Sequence, residues 1–269
     1  MLTLMSPLVT PRATQLVQRK VLPPLHALRQ LLPSGSIPPL RNVRHLLFPN
    51  VCLVCEQLLQ PHEEHVCGAC YASFDAFASP ELAEYYVRRT ITDHFCFPTF
   101  FERAWSRYKF HKESDLQELL HSLKYQGIFT LGVTLGKQLG EWLHSADLPD
   151  DIECIVPIPL HPLKKIERSY NQAEKIAEGI SQLLNRPVRS SLLTRQRYMV
   201  SQTGLSATER QQNAEGAFCA KAPLRIGHVL LVDDVLTTGA TMVAAAQALH
   251  DAGVAKVSIV TVAVAAKEM

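Results

Sequence analysis

A chain of 269 residues, 47% hydrophobic and 19% charged, has room for one well-packed domain and a small appended module, which excludes a large multidomain enzyme and an extensively disordered protein. No apolar run approaches the roughly 20 residues needed to cross a bilayer, so membrane insertion is not expected. Arg12, Arg19, Lys20, Arg29, Arg41 and Arg44 meet no acidic residue before Glu56, which leaves 21 basic against 25 acidic residues in the remainder and gives no support to a basic, nucleic-acid-binding body.

Residues 1–45 read as a basic, Pro-rich extension of little order. Their Arg-rich, acid-free composition resembles that of a transit peptide, but Pro7, Pro11, Pro23, Pro24, Pro33, Pro38 and Pro39 interrupt any long amphipathic helix. A small module over residues 46–79 follows, carrying Cys52-x-x-Cys55 and Cys67-x-x-Cys70. Two such pairs suit tetrahedral Zn²⁺ held by four thiolates; disulfides and mixed ligation through His62 or His65 are the competing arrangements. Four thiolates leave no position for water, so the metal is expected to be structural and to supply folding free energy that so small a module lacks. The cysteine total of seven is odd and no secretory signal is evident, so a reducing compartment, the cytoplasm, is expected.

Residues 80–269 alternate strand-like and helix-like segments. Ala104–Phe110 alternates large and polar residues as a strand does, and Ser114 is placed to cap a helix whose apolar face is Leu116, Leu119, Leu120 and Leu123. A second helix is predicted over Leu131–His144. Glu153–Ile158 is a short apolar run halted by prolines, a buried strand ending in a sharp loop. Ala173, Ile176, Ala177, Ile180 and Leu184 share one helix face, with Asn171 as its cap rather than a ligand group. Val229–Val232 is a further buried strand, followed by a helix through Leu249 and a last strand over Lys256–Ala265. The series predicts an α/β fold, a parallel sheet flanked by helices, with ligands at the C-terminal ends of its strands.

The strongest local signal is Val229-Leu230-Leu231-Val232-Asp233-Asp234-Val235-Leu236-Thr237-Thr238-Gly239-Ala240-Thr241. Asp233 and Asp234 emerge where the apolar run ends, and ionised carboxylates accept hydrogen bonds from vicinal hydroxyls. Leu236, Thr237, Thr238, Gly239, Ala240 and Thr241 form a turn into a helix, where free backbone N–H groups and the helix dipole favour a phosphate. Taken singly, the turn is also a plain helix cap and the acidic pair a solvated strand end. Taken together they describe one ligand, a ribose 5-phosphate.

These thirteen residues resemble the phosphoribosyl pyrophosphate motif of type I phosphoribosyltransferases. Further stretches make the chain similar to the ComF competence-protein family: Leu47-Phe48-Pro49, Leu123-Lys124-Tyr125 with Gly127, Val156-Pro157-Ile158-Pro159-Leu160, Arg168-Ser169-Tyr170-Asn171-Gln172-Ala173, and the segment from Gln202 through Phe218. Ser169-Tyr170 departs from the family's usual Gly-Phe but keeps an aromatic at Tyr170. The resemblance implies a type I phosphoribosyltransferase-like sheet with an N-terminal zinc module, and phosphoribosyl pyrophosphate or ribose 5-phosphate as ligand, with Mg²⁺ on the pyrophosphate.

Such chemistry requires positioning and electrostatic stabilisation more than a protein nucleophile. Asp233 and Asp234 are its expected centre. The resemblance puts Lys164 and Arg168 beside the pyrophosphate, against a reading of both as solvated surface cations. The polar stretch Thr194–Gly216, with Arg195, Gln202, Arg210 and Asn213, resembles a mobile lid; Arg210 and Asn213 serve equally well as anchors of that loop. A transferase acting in DNA uptake is the leading reading. Its rivals are a nucleobase salvage enzyme and a non-catalytic factor that grips single-stranded DNA and meets other uptake proteins. For the last, Trp105, Arg107, Tyr108, Lys109, Phe110 and Lys112, with Lys124 and Tyr125, would form a stacking platform, against a reading of Tyr108 and Phe110 as core.

Overall fold

The computed structural model describes residues 50–196 and 216–266. The extension over residues 1–45, and Gln202, Arg210 and Asn213 of the expected lid, lie outside the described residues. A short helix α1 (Gly68–Ser73) and a longer one, α2 (Pro80–Thr92), precede strand β1 (Phe101–Phe110). Helices α3 (Asp115–Tyr125) and α4 (Phe129–His144) follow, then β2 (Cys154–Pro157), α5 (Pro162–Arg168) and α6 (Gln172–Leu184). An antiparallel ribbon of β3 (Leu193–Arg195) and β4 (Phe218–Ala220) leads to β5 (Ile226–Leu236), α7 (Ala240–Asp251) and β6 (Val254–Ala265). Strands β1, β6, β5 and β2, in that order, form one parallel sheet.

A parallel sheet is covered on both faces, so its strands are apolar on both. Val229 and Leu231 of β5 share a core with Val87 and Ile91 of α2 and with Met242 and Ala246 of α7. Leu230 and Val232, pointing the other way, pack with Leu120, Leu135 and Ile176 of α3, α4 and α6. The result is three layers, helix on sheet on helix. Ser114 caps α3 by accepting from the Gln117 N–H at 3.3 Å, and Ser79 caps α2 in the same way from Leu82, with Pro80 in its first turn.

Helices α4 and α6 touch backbone to backbone. A methyl on Gly136 would lie 2.1 Å from the Ile176 carbonyl oxygen, and one on Gly179 would lie 2.2 Å from that of Val133. Only glycine permits this approach, which holds the α6 N-terminus against the sheet. There the Asn171 side chain accepts from Ala173 N–H at 3.2 Å, as a cap, and also donates to the Ile158 carbonyl at 2.9 Å, tying the helix to the loop after β2.

The cysteine module is continuous with the main core: Cys52, Val66, Cys67, Cys70 and Phe74 pack in the cluster that holds Trp105 and Tyr108. Its C-terminal segment also closes the β1 edge. Lys109 N–H donates to the Asp75 carbonyl at 2.8 Å and Phe77 N–H to that of Arg107 at 3.2 Å, around an antiparallel bridge between Ala76 and Tyr108. An otherwise open sheet edge is thereby paired.

Three readings of the sequence change. Strand β1 starts at Phe101, before the alternation that marked it. Strand β5 continues past Val232 through Leu236, because β6 runs beside it to Ala265 and the ladder persists beyond the apolar run. The aromatic and basic residues of β1 do not form a stacking platform: Trp105 and Tyr108 are 1% and 6% exposed, and Lys109 Nζ sits 3.1 Å from Asp75 Oδ1. Among the described residues no helix is long and apolar enough to cross a membrane.

Candidate functional site

The site forms at the C-terminal end of the sheet, around the second half of β5. Asp233 stands in register with Thr261 of β6, so the acidic pair lies within the strand rather than after it. Adjacent strand residues point to opposite faces, yet local hydrogen bonds hold both carboxylates: Asp233 Oδ1 accepts from Asp234 N–H at 2.9 Å, and Asp234 Oδ1 from Val235 N–H at 2.8 Å. The other Asp234 oxygen, Oδ2, faces the Lys124 ammonium at 2.7 Å.

The electrostatics follow from these neighbours. Loss of water around Asp233, together with the Asp234 charge, pushes its carboxyl up to about 8, against the opposing pull of the Asp234 N–H, Lys124 and Arg195. For Lys124, burial disfavours the ammonium, but Asp234 and Asp233 outweigh that and raise it above the ordinary lysine value. Burial lowers Arg195, opposed by Asp233.

The turn that follows joins the same cleft. Asp233, Leu236, Thr237, Thr238, Gly239, Ala240 and Thr241 line it together. Gly239 takes φ +86°, and a Cβ there would meet Ile91 Cγ1 at 2.7 Å, so both conformation and space call for glycine. Helix α7 starts at Ala240, whose N–H reaches Thr238 Oγ1 at a long 3.4 Å. The first turn of α7 thus borders the cleft that Asp233 also lines, and the N–H groups of a helix's first turn have no partner within the helix.

Of the predicted basic residues, Arg195 and Arg168 interact with the acidic pair or with Lys124 beside it, and Lys164 stands on the same short helix as Arg168. Arg195 lies close enough to Asp233 for each to shift the other, with its guanidinium 5.2 Å above the Phe218 ring. Arg168 ends α5, donates to Tyr125 Oη at 3.2 Å, and lies 5.0 Å over the Tyr125 ring; its charge reaches Lys124. The Arg168 Nε is buried without a hydrogen-bond partner among the described residues. Lys164, in the first turn of α5, makes no ion pair among the described residues.

Lys124 was not singled out for this site, although it stands in the Leu123-Lys124-Tyr125 match. The available signal was its place at the end of α3: it follows Leu120 by four residues, putting a charge on the rim of the buried stripe. Its backbone is fixed from the other side, since Tyr170 Oη donates to the Leu123 carbonyl.

The carboxyl groups of Asp233 and Asp234 and the hydroxyls of the turn are hard oxygen donors, and a cation beside Asp233 would offset the burial and the Asp234 charge that raise it. This donor set fits a hard divalent cation such as Mg²⁺. The cysteines present different chemistry. Sγ atoms of Cys52, Cys55, Cys67 and Cys70 all lie within 4.8 Å of one another, with Cys55 and Cys67 3.7 Å apart. Tetrahedral thiolates at about 2.3 Å from zinc would be roughly 3.8 Å apart, so the cluster could hold a metal of that kind. Burial opposes the Cys52 thiolate, but backbone N–H groups of Cys55, Cys67 and Val54 outweigh it and bring Cys52 to about 6. The backbone here favours the thiolate form that a metal ligand requires, whereas Cys55 and Cys70 are raised.

The chain is similar to several known proteins. A model of the phosphoribosyl transferase domain matches residues 165–268, which contain Arg168, Arg195 and the whole acidic turn. The chain is 28% identical over 224 residues to competence protein F of Haemophilus influenzae, covering 77% of this chain and 94% of that one. It is 33% identical over 150 residues to the DNA utilization protein YhgH of Escherichia coli, covering 54% of this chain and 65% of the relative, just under two thirds of its length. Among solved structures, a glutamine phosphoribosylpyrophosphate amidotransferase from Bacillus subtilis overlaps 50% of this chain and 26% of its own, at 21% identity and a TM-score of 0.34.

Proposed function

Because this chain belongs to the ComF family of competence proteins and carries a phosphoribosyl transferase domain, we propose that the cleft of β5 and the α7 N-terminus binds phosphoribosyl pyrophosphate, or ribose 5-phosphate, with Mg²⁺. The observation that carries this reading is that Asp233 lines one cleft with the whole 236–241 turn, while Asp234 follows it on the same strand. The two carboxylates accept hydrogen bonds from the ribose hydroxyls, and the N–H groups of the turn cradle the 5-phosphate.

Arg168 and Arg195 face the pyrophosphate, where negative charge grows as the bond to ribose C1 lengthens. Bound Mg²⁺ would neutralise pyrophosphate oxygens and hold them to the ribose side of the cleft. The chain's own part is to orient the sugar against that charge and to exclude water, with no protein nucleophile. Transfer to an acceptor is the reaction we assign, and DNA uptake is the process, which the relatives' names in competence and DNA utilization support. Zinc is the metal we place in the cysteine cluster, as a structural ion, and a reducing cytoplasm suits its thiolates.

The test is pyrophosphate release from phosphoribosyl pyrophosphate and Mg²⁺, measured against nucleobases, ammonia and single-stranded DNA as acceptors. Release with one class of acceptor supports transfer and names that class. Binding without release to any of them would reduce the site to a sensor of the sugar phosphate.

A further inference from the structure

The contact that the proposed chemistry leaves unused is the one between Lys124 and Asp234. The ammonium lies 2.7 Å from Asp234 Oδ2, and the pair is largely withdrawn from water, the lysine side chain being 25% exposed and the carboxylate 11%. Asp234 Oδ1 is already engaged by the Val235 N–H. Lys124 therefore sits on the second oxygen of the very carboxylate that a cation or a ribose hydroxyl would need. Its backbone cannot retreat, since Leu123 is fully buried, its carbonyl is held by Tyr170, and Tyr125 is held under Arg168. The flexible four-carbon stem is the part that can move.

Where the ammonium goes is set by its surroundings. Arg168 is near enough to repel it, so an anion bound beside both cations would relieve that repulsion and compete with Asp234 for the ammonium. A phosphate or pyrophosphate group beside Arg168, whose Nε has no hydrogen-bond partner among the described residues, supplies that anion. We propose that Lys124 is a resident counter-ion of Asp234 that keeps divalent cations off the acidic pair until a phosphorylated ligand draws it away. Cation and anionic ligand then bind with positive coupling, each strengthening the other by the same factor. The coupling rests on the assignment of the cleft to a ribose phosphate; the exclusion of the cation by Lys124 does not.

The experiment uses full-length protein with zinc-loaded cysteines and Mn²⁺ as the cation, its free concentration read by electron paramagnetic resonance, with and without ribose 5-phosphate. For the unsubstituted protein, ribose 5-phosphate should tighten Mn²⁺ by roughly 10-fold or more, within the usual range of coupled sites. Lys124→Met should bind Mn²⁺ without any ligand and keep less than about 2-fold coupling. Adding Asp234→Asn to that variant should remove the gain, and Lys124→Arg, which keeps the charge, should continue to exclude Mn²⁺.

Lys124→Met leaves the buried Asp234 carboxylate without its counter-ion, so it should also melt lower, and Mn²⁺ should raise its Tm but not that of the unsubstituted protein. Equal Mn²⁺ affinity of Lys124→Met and the unsubstituted protein overturns the inference, as does tight Mn²⁺ binding to the unsubstituted protein alone. If Lys124→Met gains Mn²⁺ but calorimetry finds no ribose 5-phosphate binding to the unsubstituted protein, the counter-ion role stands and the assignment of the ligand falls.

Discussion

Asp233 and Asp234 are costly residues for the fold. Consecutive carboxylates in a packed strand repel each other and lose water, and Asp233 rises from an ordinary 3.8 to about 8 as a result. The sign of the pH effect follows. Between those two values the folded chain holds a proton that the unfolded chain has released, so stability falls as pH rises from about 4 to about 8. Asp233→Asn removes this slope. The variant should melt higher than the unsubstituted protein at pH 7, and the gap should narrow as pH is lowered towards 4; thermal melts across that range check it, and parallel curves would show that Asp233 is not burdened in this way. A residue retained at a cost to stability, lining a cleft, is a mark of a functional site.

At the scale of elements, the α4–α6 contact carries a definite prediction. Alanine is the better helix former by about 1 kcal/mol, but a methyl on Gly179 would meet the Val133 carbonyl oxygen at 2.2 Å and Lys137 N at 2.7 Å, both backbone atoms that cannot turn aside. Overpacking wins, and Gly179→Ala should lose about 3 kcal/mol in urea unfolding, the upper end for a single overpacked site. A neutral or stabilised variant would mean that the two helices are not in backbone contact.

Which elements were legible in the sequence follows from how each is held. Val229–Val232 was legible because a strand buried on both faces is a continuous apolar run, and α3 because Ser114 and four leucines mark its cap and face. Helix α2 leaves little pattern in the sequence, since its buried residues are Ala83, Val87, Thr90 and Ile91, a stripe weak in large side chains; the Ser79-Pro80 start is its readable sign. Helix α5 buries nothing and so has no stripe to read, and β3 and β4 are too short to alternate. The site divides in the same way. Its turn is contiguous and could be read directly, whereas Lys124 reaches Asp234 only through the packing of α3 against the sheet, a contact that no local pattern encodes.

For the whole molecule, the cysteine cluster is part of the main core and not an appendage. Cys52, Cys67 and Cys70 are buried with Phe74 against Trp105 and Tyr108, Thr134 Oγ1 of α4 donates to Glu64 Oε2 at 3.0 Å, and the segment after α1 pairs with β1. Loss of the metal should therefore loosen the sheet edge as well as the module. Cys70→Ala is expected to lower Tm by on the order of 10 °C, from roughly 2–4 °C per kcal/mol for a domain of this size and a loss of a few kcal/mol. Light scattering should rise with it, because an unpaired edge strand invites association. An unchanged Tm, with one metal ion still bound per chain, would mean that the cluster does not support the fold.

The same sheet brings the carboxyl groups of β5, the turn into α7 and the cations of α3, α5 and β3 to one end, although they are scattered along the chain. The most direct measurement of that convergence is calorimetry of the full-length protein with phosphoribosyl pyrophosphate, with and without Mg²⁺. The account predicts saturable binding at one site per chain, tighter with Mg²⁺, and its loss by at least about 100-fold, or 2.7 kcal/mol, in the Asp233→Asn/Asp234→Asn variant. Undiminished binding by that variant, or no heat at all from the unsubstituted protein, would contradict it.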